Sequence, residues 1–164
     1  MTNLVNEEKL KKAYLFSSIT LILFFCNAVI SLILSKVIYN TAELYNAFLT
    51  NDLVNLIIGV PGLMLVLWLA KRKHAIGLYC WSGALLLVIY NHIAYLIAVN
   101  HLYGYIANSL ILISAVASFI LLTGSLRSEN IYTSLKDIFP RKTFGSIILI
   151  LGLLFVFRAV SLLA

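Results

Sequence analysis

The sequence predicts an all-α integral membrane protein, a bundle of five transmembrane helices with the N-terminus cytoplasmic and the C-terminus extracytoplasmic. Composition is the first reason: 62% hydrophobic and 11% charged residues, with a mean hydropathy of +1.02, stand far from a soluble domain with about 25% charge. Segment length is the second, because five apolar runs are each long enough, at about 1.5 Å per residue, to cross a hydrocarbon core roughly 30 Å thick. Charge placement is the third. Ten of the twelve Lys and Arg residues fall in three segments, the one before the first run and every second connection after it, which all lie on the same side.

The spans are expected at 13–37, 52–70, 75–99, 103–124 and 144–164, forming a single transmembrane domain over residues 1–164. Lys9, Lys11 and Lys12 precede the first; Lys71, Arg72 and Lys73 join the second to the third; Arg127, Lys136, Arg141 and Lys142 join the fourth to the fifth. The opposite side carries only Lys36. By the positive-inside rule the three basic segments are cytoplasmic, and loops 36–51 and 100–102 face outward. This places the chain in a plasma (inner) membrane as a multi-pass protein.

A secretory signal also begins with lysines and an apolar stretch, but the stretch here runs about 25 residues against the roughly 7–15 of a signal core. The first run is therefore read as a retained span. Within the last connection, Ser128 to Pro140 reads as an interfacial helix: Ser128 can cap it, Ile131, Leu135 and Ile138 follow helical spacing, and Pro140 stops it. Tyr39, Tyr45 and Phe48 in the larger outer loop suit an aromatic belt.

Basic charge here reports topology and not nucleic-acid binding, since the cations sit beside span ends. Cys26 and Cys80 lie at different depths, about 20 Å and 8 Å from the cytoplasmic ends of their spans, and read as two separate buried thiols. His74, His101 and His92 fall in an inner loop, an outer loop and a span, so no metal or haem ligand set assembles. No cofactor motif and no catalytic motif is present.

Polar residues inside the spans carry more information, because lipid makes them costly unless they face a neighbour, water or a ligand. Ser17, Thr20, Asn27, Ser31 and Ser35, with Phe24 filling the one gap, share a face of span one. Asp52, Asn55, Gly59 and Gly62 do so in span two, and Gly104, Asn108, Ala115 and Ser118 in span four. Small and hydroxylated residues in such stripes ordinarily serve helix packing. Depth distinguishes the larger groups: Asn27, Asn91 and Arg158 rise about 21–24 Å from the cytoplasmic ends, and Asn55 and Asn108 lie about 5–8 Å below the outer ends. With Asp52, Tyr90, His92 and Tyr95 they converge on one outer layer, which predicts an outward-opening polar cavity.

Arg158 stands out as a cation within a span. Asp52 is its expected partner; the alternatives are that Arg158 snorkels to headgroups and that Asp52 serves as a favourable charge in the first turn of span two. Gly59-Val60-Pro61-Gly62 predicts a proline kink. A pair of broken helices would suggest a transporter, but no second copy exists.

The stretch N-D-L-V-N-L-I-I-G-V-P, followed by L-A-K-R-K and Y-N-H-I-A-Y, resembles uncharacterised multi-span membrane proteins of bacteria and archaea over residues 51–95. That resemblance implies a shared unit of spans two and three and no activity. With two Trp and two Pro, the chain is unlike the five-span tryptophan-rich sensory proteins.

Function is therefore expected in the outer layer. The first expectation is a non-enzymatic protein binding a polar or anionic small molecule or a lipid headgroup, as sensor or transporter, through Asn27, Asp52, Asn55, Tyr90, Asn91, His92, Tyr95, Asn108 and Arg158. Two readings stand beside it: an accessory or assembly subunit that buries its stripes against another membrane protein or a second copy of itself, and an intramembrane enzyme or quinone-reactive protein using His92 with Tyr90 or Tyr95 for proton transfer.

Overall fold

The computed structural model describes residues 5–72, 75–99 and 101–126, all within one compact unit. The fifth apolar run, the 128–140 segment and Arg158 lie outside the described residues. Among these residues the structure is helical with no strand, and four helices are long and apolar enough to cross a membrane.

Helix α1 covers Glu7–Ile33 and starts six residues before the first predicted span, because Asn6 caps it by accepting from the Lys9 backbone N–H at 3.2 Å. The end of the chain's first segment is pinned: Asn6 N–H donates to the Ser125 carbonyl at 2.8 Å and Val5 bridges Leu126. A short α2, Ser35–Ile38, follows. The loop expected over residues 40–51 is instead helical from Ala42, since Thr41 supplies a cap to the Leu44 N–H at 3.2 Å. Helix α3 (Ala42–Val54), a π-helical turn (Asn55–Gly59) and α4 (Val60–Lys71) run on as one apolar rod. Helices α5 (Ala75–Ala98) and α6 (Leu102–Ser125) match spans three and four to within one residue at each end.

The kink predicted at Pro61 takes the form of that π-helical turn. Proline has no N–H, and in a continuous α-helix its ring would meet the carbonyl four residues back. The Val60 N–H reaches back to the Asn55 carbonyl, five residues away, and the wider turn accommodates the proline that follows.

Helix α1 packs along α6, α6 along α5, α5 along α4, and α4 and α3 return to α1, closing a ring. The α1–α6 seam is antiparallel and in register. Ser17 meets Ser118 at 2.5 Å, Thr20 meets Ser114 at 2.9 Å, and Asn27 meets Asn108 at 3.4 Å. All six residues of the span-one stripe are buried, as are Gly104, Asn108, Ala115 and Ser118 of α6. Trp81 of α5 enters the centre of the ring, fully buried against Tyr14. Its indole N–H donates to Ser17 Oγ at 2.8 Å; Ser17 gives its own proton to Ser118, which donates to the Ala13 carbonyl at 2.9 Å. Every proton in that relay has one destination, so three helices are tied without an unpaired donor.

Outward faces are apolar: Ile22, Ile57, Leu87 and Ile113 are each 61–66% exposed. A soluble monomer does not carry so continuous an apolar surface, and lipid accounts for it. Cys26 and Cys80 belong to this surface; they are exposed and unbridged, which corrects the expectation of buried thiols.

Candidate functional site

At the end of the bundle that holds the α2–α3 connection, the polar residues divide into two groups. The larger is centred on Asp52, the one acid buried among the described residues, where no Lys or Arg is buried. Asp52 is 1% exposed and sits well inside the rod that begins at Ala42, so it is not a first-turn charge. Tyr39 donates to its Oδ2 and Tyr95 to its Oδ1, each at 2.5 Å. Both hydroxyls thus serve a charge in a setting where an unpaired carboxylate would be costly. Tyr39 is not part of an aromatic belt: it is 3% exposed, stacked near Phe48, which also packs on Tyr95. Burial, and then the neighbouring carboxylate, push the Tyr39 phenol above its ordinary value, and it remains a donor at any physiological pH.

Because the Tyr95 proton is committed to Asp52, its oxygen can only accept. It does so from the Asn51 amide at 3.1 Å and the Asn55 amide at 3.4 Å. Asn51 also donates to Asn91 Oδ1 at 2.9 Å, and Asn91 donates to Asn55 Oδ1 at 2.9 Å. Three amides and a phenol form a closed ring across spans two and three. Asn51 was absent from the candidate set. The signal that could have found it is its spacing four residues before Asn55, which extends the same helical face.

The second group joins Asn27 to Asn108 and Tyr103. Tyr103 donates to Asn27 Oδ1 at 3.3 Å, and Asn108 spends an N–H on the Gly104 carbonyl at 2.8 Å. These bonds tie α1 to α6. His92 is fully buried; its Nδ1 donates to the Val88 carbonyl at 2.8 Å, its ring meets Phe24 edge-on, and its Nε2 has no hydrogen-bond partner.

Between spans two and three lies a cavity of about 430 Å³. Asn51, Asn55 and Asn91 line it at one end; Phe24, Val54, Ile58, Leu63, Val66, Ala84, Leu87 and Val88 make the rest mainly aliphatic. Asn27, Asn108 and Asp52 are not among the lining residues. Matched depth therefore brought Asn55 and Asn91 to one cavity, while Asn27 and Asn108 met on another face. Tyr90, 65% exposed like Ile58 and Leu87, stands at the margin, so the trough opens on the flank of the bundle. From Asn51 to Val66 it follows span two for about 22 Å. Two glycines shape it. A Cβ on Gly59 would lie 3.0 Å from Phe24 Cζ, whereas a Cβ on Gly62 would meet nothing within 4 Å.

No family model, curated protein or solved structure matches the chain. The likeness over residues 51–95 accordingly brings no assignment, and the chemistry of the trough has to speak for itself. An elongated aliphatic slot that ends in hydrogen-bonding amides suits a molecule with a chain at one end and a polar head at the other.

Proposed function

We propose that this is a five-span protein of the plasma membrane, N-terminus cytoplasmic and C-terminus extracytoplasmic, whose outer-leaflet pocket binds a lipid-like molecule by its headgroup. The observation that carries this reading is the union of an apolar trough with the Asn51–Asn55–Asn91 ring, open to the flank from which a lipid would enter. The lining is aliphatic over most of its length with its amides gathered at one end, which favours a ligand that is apolar along most of its length over a small, wholly polar one. Of the two roles first considered, sensing or transport, neither is required by the trough; binding is common to both.

The reading is tested with the purified full chain in nanodiscs and a photoreactive, alkyne-tagged monoacylglycerol. Labelling is expected on the lining segments around Ile58–Val66 and Ala84–Asn91 in preference to other lipid-facing positions. Gly62→Leu should abolish it by filling the trough, and Gly83→Leu should not, because Gly83 is exposed outside the lining and its Cβ also meets nothing within 4 Å. Labelling spread evenly over Ile22, Phe25 and the other exposed apolar residues, and indifferent to Gly62→Leu, would overturn the reading.

A further inference from the structure

The amide ring does more than offer generic polarity, because the carboxylate behind it dictates which way every hydrogen bond in it runs. Both Asp52 oxygens accept hydroxyl protons, at 2.5 Å each, so Tyr95 has no proton left for the ring. Tyr95 Oη must then accept, and Asn51 and Asn55 must turn their N–H groups toward it. Asn51 places its other N–H on Asn91, whose amide places one N–H on the Asn55 carbonyl. An amide has two donor hydrogens and one acceptor oxygen. What the ring leaves unspent is therefore one N–H on Asn55, one N–H on Asn91, both lone pairs of the Asn51 carbonyl and one lone pair each on the Asn55 and Asn91 carbonyls, on three residues that all line the trough.

We infer that the ring takes an uncharged amphiphile whose head combines a carbonyl-type oxygen with a hydroxyl, and that Asp52, acting through Tyr95, fixes this preference. The inference rests on the trough being a lipid-like site, as proposed above. A carbonyl or ester oxygen answers the two spare N–H groups, and a hydroxyl answers the Asn51 carbonyl. An anionic head finds no buried Lys or Arg among the described residues and has a buried carboxylate behind the ring. A cationic head would leave the two spare N–H groups facing another donor, and the buried carboxylate of Asp52 does not line the trough. Asp52 and Tyr95 are thus positioning residues for the ring.

The chemistry can be read with four probes that share one chain and differ at the head: monoolein, methyl oleate, oleate and oleylamine. Their binding to the full chain in nanodiscs is measured by displacement of the photoreactive monoacylglycerol. Monoolein should bind about fivefold or more tighter than methyl oleate, which lacks the hydroxyl, and about tenfold or more tighter than oleate or oleylamine, the size expected of one or two hydrogen bonds. Asp52→Asn, which lets position 52 donate to Tyr95 and frees the Tyr95 proton toward the ring, should bring monoolein and methyl oleate to within about twofold of each other. Tyr95→Phe removes the same link and should do likewise, so the argument survives if one variant fails to fold. Oleate or oleylamine binding as tightly as monoolein, or a ranking unchanged in both variants, overturns the inference while leaving the pocket in place. If no probe displaces the label, or Gly62→Leu affects none of them, the pocket reading fails and takes the inference with it.

Discussion

Removing one hydroxyl at a time from Asp52 tests whether a buried charge organises this end of the bundle. Tyr39→Phe deletes one donor to the carboxylate, along with the weaker interactions of the same hydroxyl with Ser31 and Tyr95. A hydrogen bond to a charged group is worth about 1.5–3 kcal/mol, so a loss of about 2 kcal/mol is expected. Tyr95→Phe deletes the matching bond and also the acceptor for the Asn51 and Asn55 amides. Interhelical hydrogen bonds in membrane proteins average about 0.6 kcal/mol, and of these two the one at 3.1 Å is ordinary and the one at 3.4 Å is long. The Tyr95 variant should therefore lose about 3 kcal/mol, more than its partner. The assay is reversible unfolding in mixed micelles of dodecyl maltoside and increasing dodecyl sulfate, followed by helical circular dichroism. Repeating Tyr39→Phe on the Asp52→Asn background should reduce its cost to about 1 kcal/mol or less, since only a neutral bond is then lost, leaving a coupling of at least about 1 kcal/mol. Equal costs on the two backgrounds would refute the idea that a carboxylate holds the phenols.

Three further outcomes follow from the packing. Gly77→Leu should cost about 1–3 kcal/mol in the same assay, because its Cβ would lie 3.0 Å from the Leu69 backbone and backbone cannot swing aside; Gly83→Leu, with open space around it, should be neutral or stabilising by up to about 1 kcal/mol. Ser17→Ala breaks the relay from Trp81 to Ala13 and leaves a buried indole N–H without its acceptor, which should cost about 1–2 kcal/mol, and Trp81→Phe on that background should then add no further hydrogen-bond loss. For the proposed orientation, a cysteine placed at His101 should react with a membrane-impermeant maleimide from outside intact cells, and a reporter fused after Ala164 should face the same side; labelling of position 101 only after the membrane is opened would reverse the topology.

Much of the bundle was legible because one rule governs it. In lipid, a polar side chain needs a partner, so a run of Ser, Thr and Asn at three-and-four spacing marks a buried face, while isolated Ser18 and Thr123 stay exposed by bonding their own helix backbone. Ser17, Thr20, Asn27, Ser31 and Ser35 are all buried on that account. Hydropathy served less well at the ends. It stops span two at Asp52, where polar residues begin, but the helix continues back to Ala42 because capping and propensity, not apolarity, decide where a helix starts. That error turned Asp52 into a terminal charge and Tyr39 into a belt residue, and hid the bond between them. Counting depth matches Asn91 with Asn55 and Asn27 with Asn108, which do meet, but it carries no azimuth around each helix, and azimuth decides that the two pairs stay apart. The expected partner Arg158 lies outside the described residues; within them, two tyrosines donate to Asp52, one to each oxygen.

The π-helical turn links these local facts to the trough. Pro61 forbids the ordinary bond back to Ile57, and a helix can answer by losing that bond or by widening a turn upstream. Here the Val60 N–H bonds the Asn55 carbonyl, so the widened turn starts at the asparagine whose side chain closes the amide ring. The same turn ends at Gly59, where an added Cβ would lie 3.0 Å from the tip of the Phe24 ring, which is buried against His92 and lines the trough. A side chain at 59 thus needs the Phe24 ring to give by a few tenths of an ångström, whereas at 62 nothing occupies the space a side chain would fill. A helix built only for packing would gain by filling that space, since Gly costs about 1 kcal/mol relative to Ala in a helix interior. Gly83 is as unfilled as Gly62, so open space alone marks nothing; what separates the two is that Gly62 lines the trough, where the proposed ligand would occupy that space.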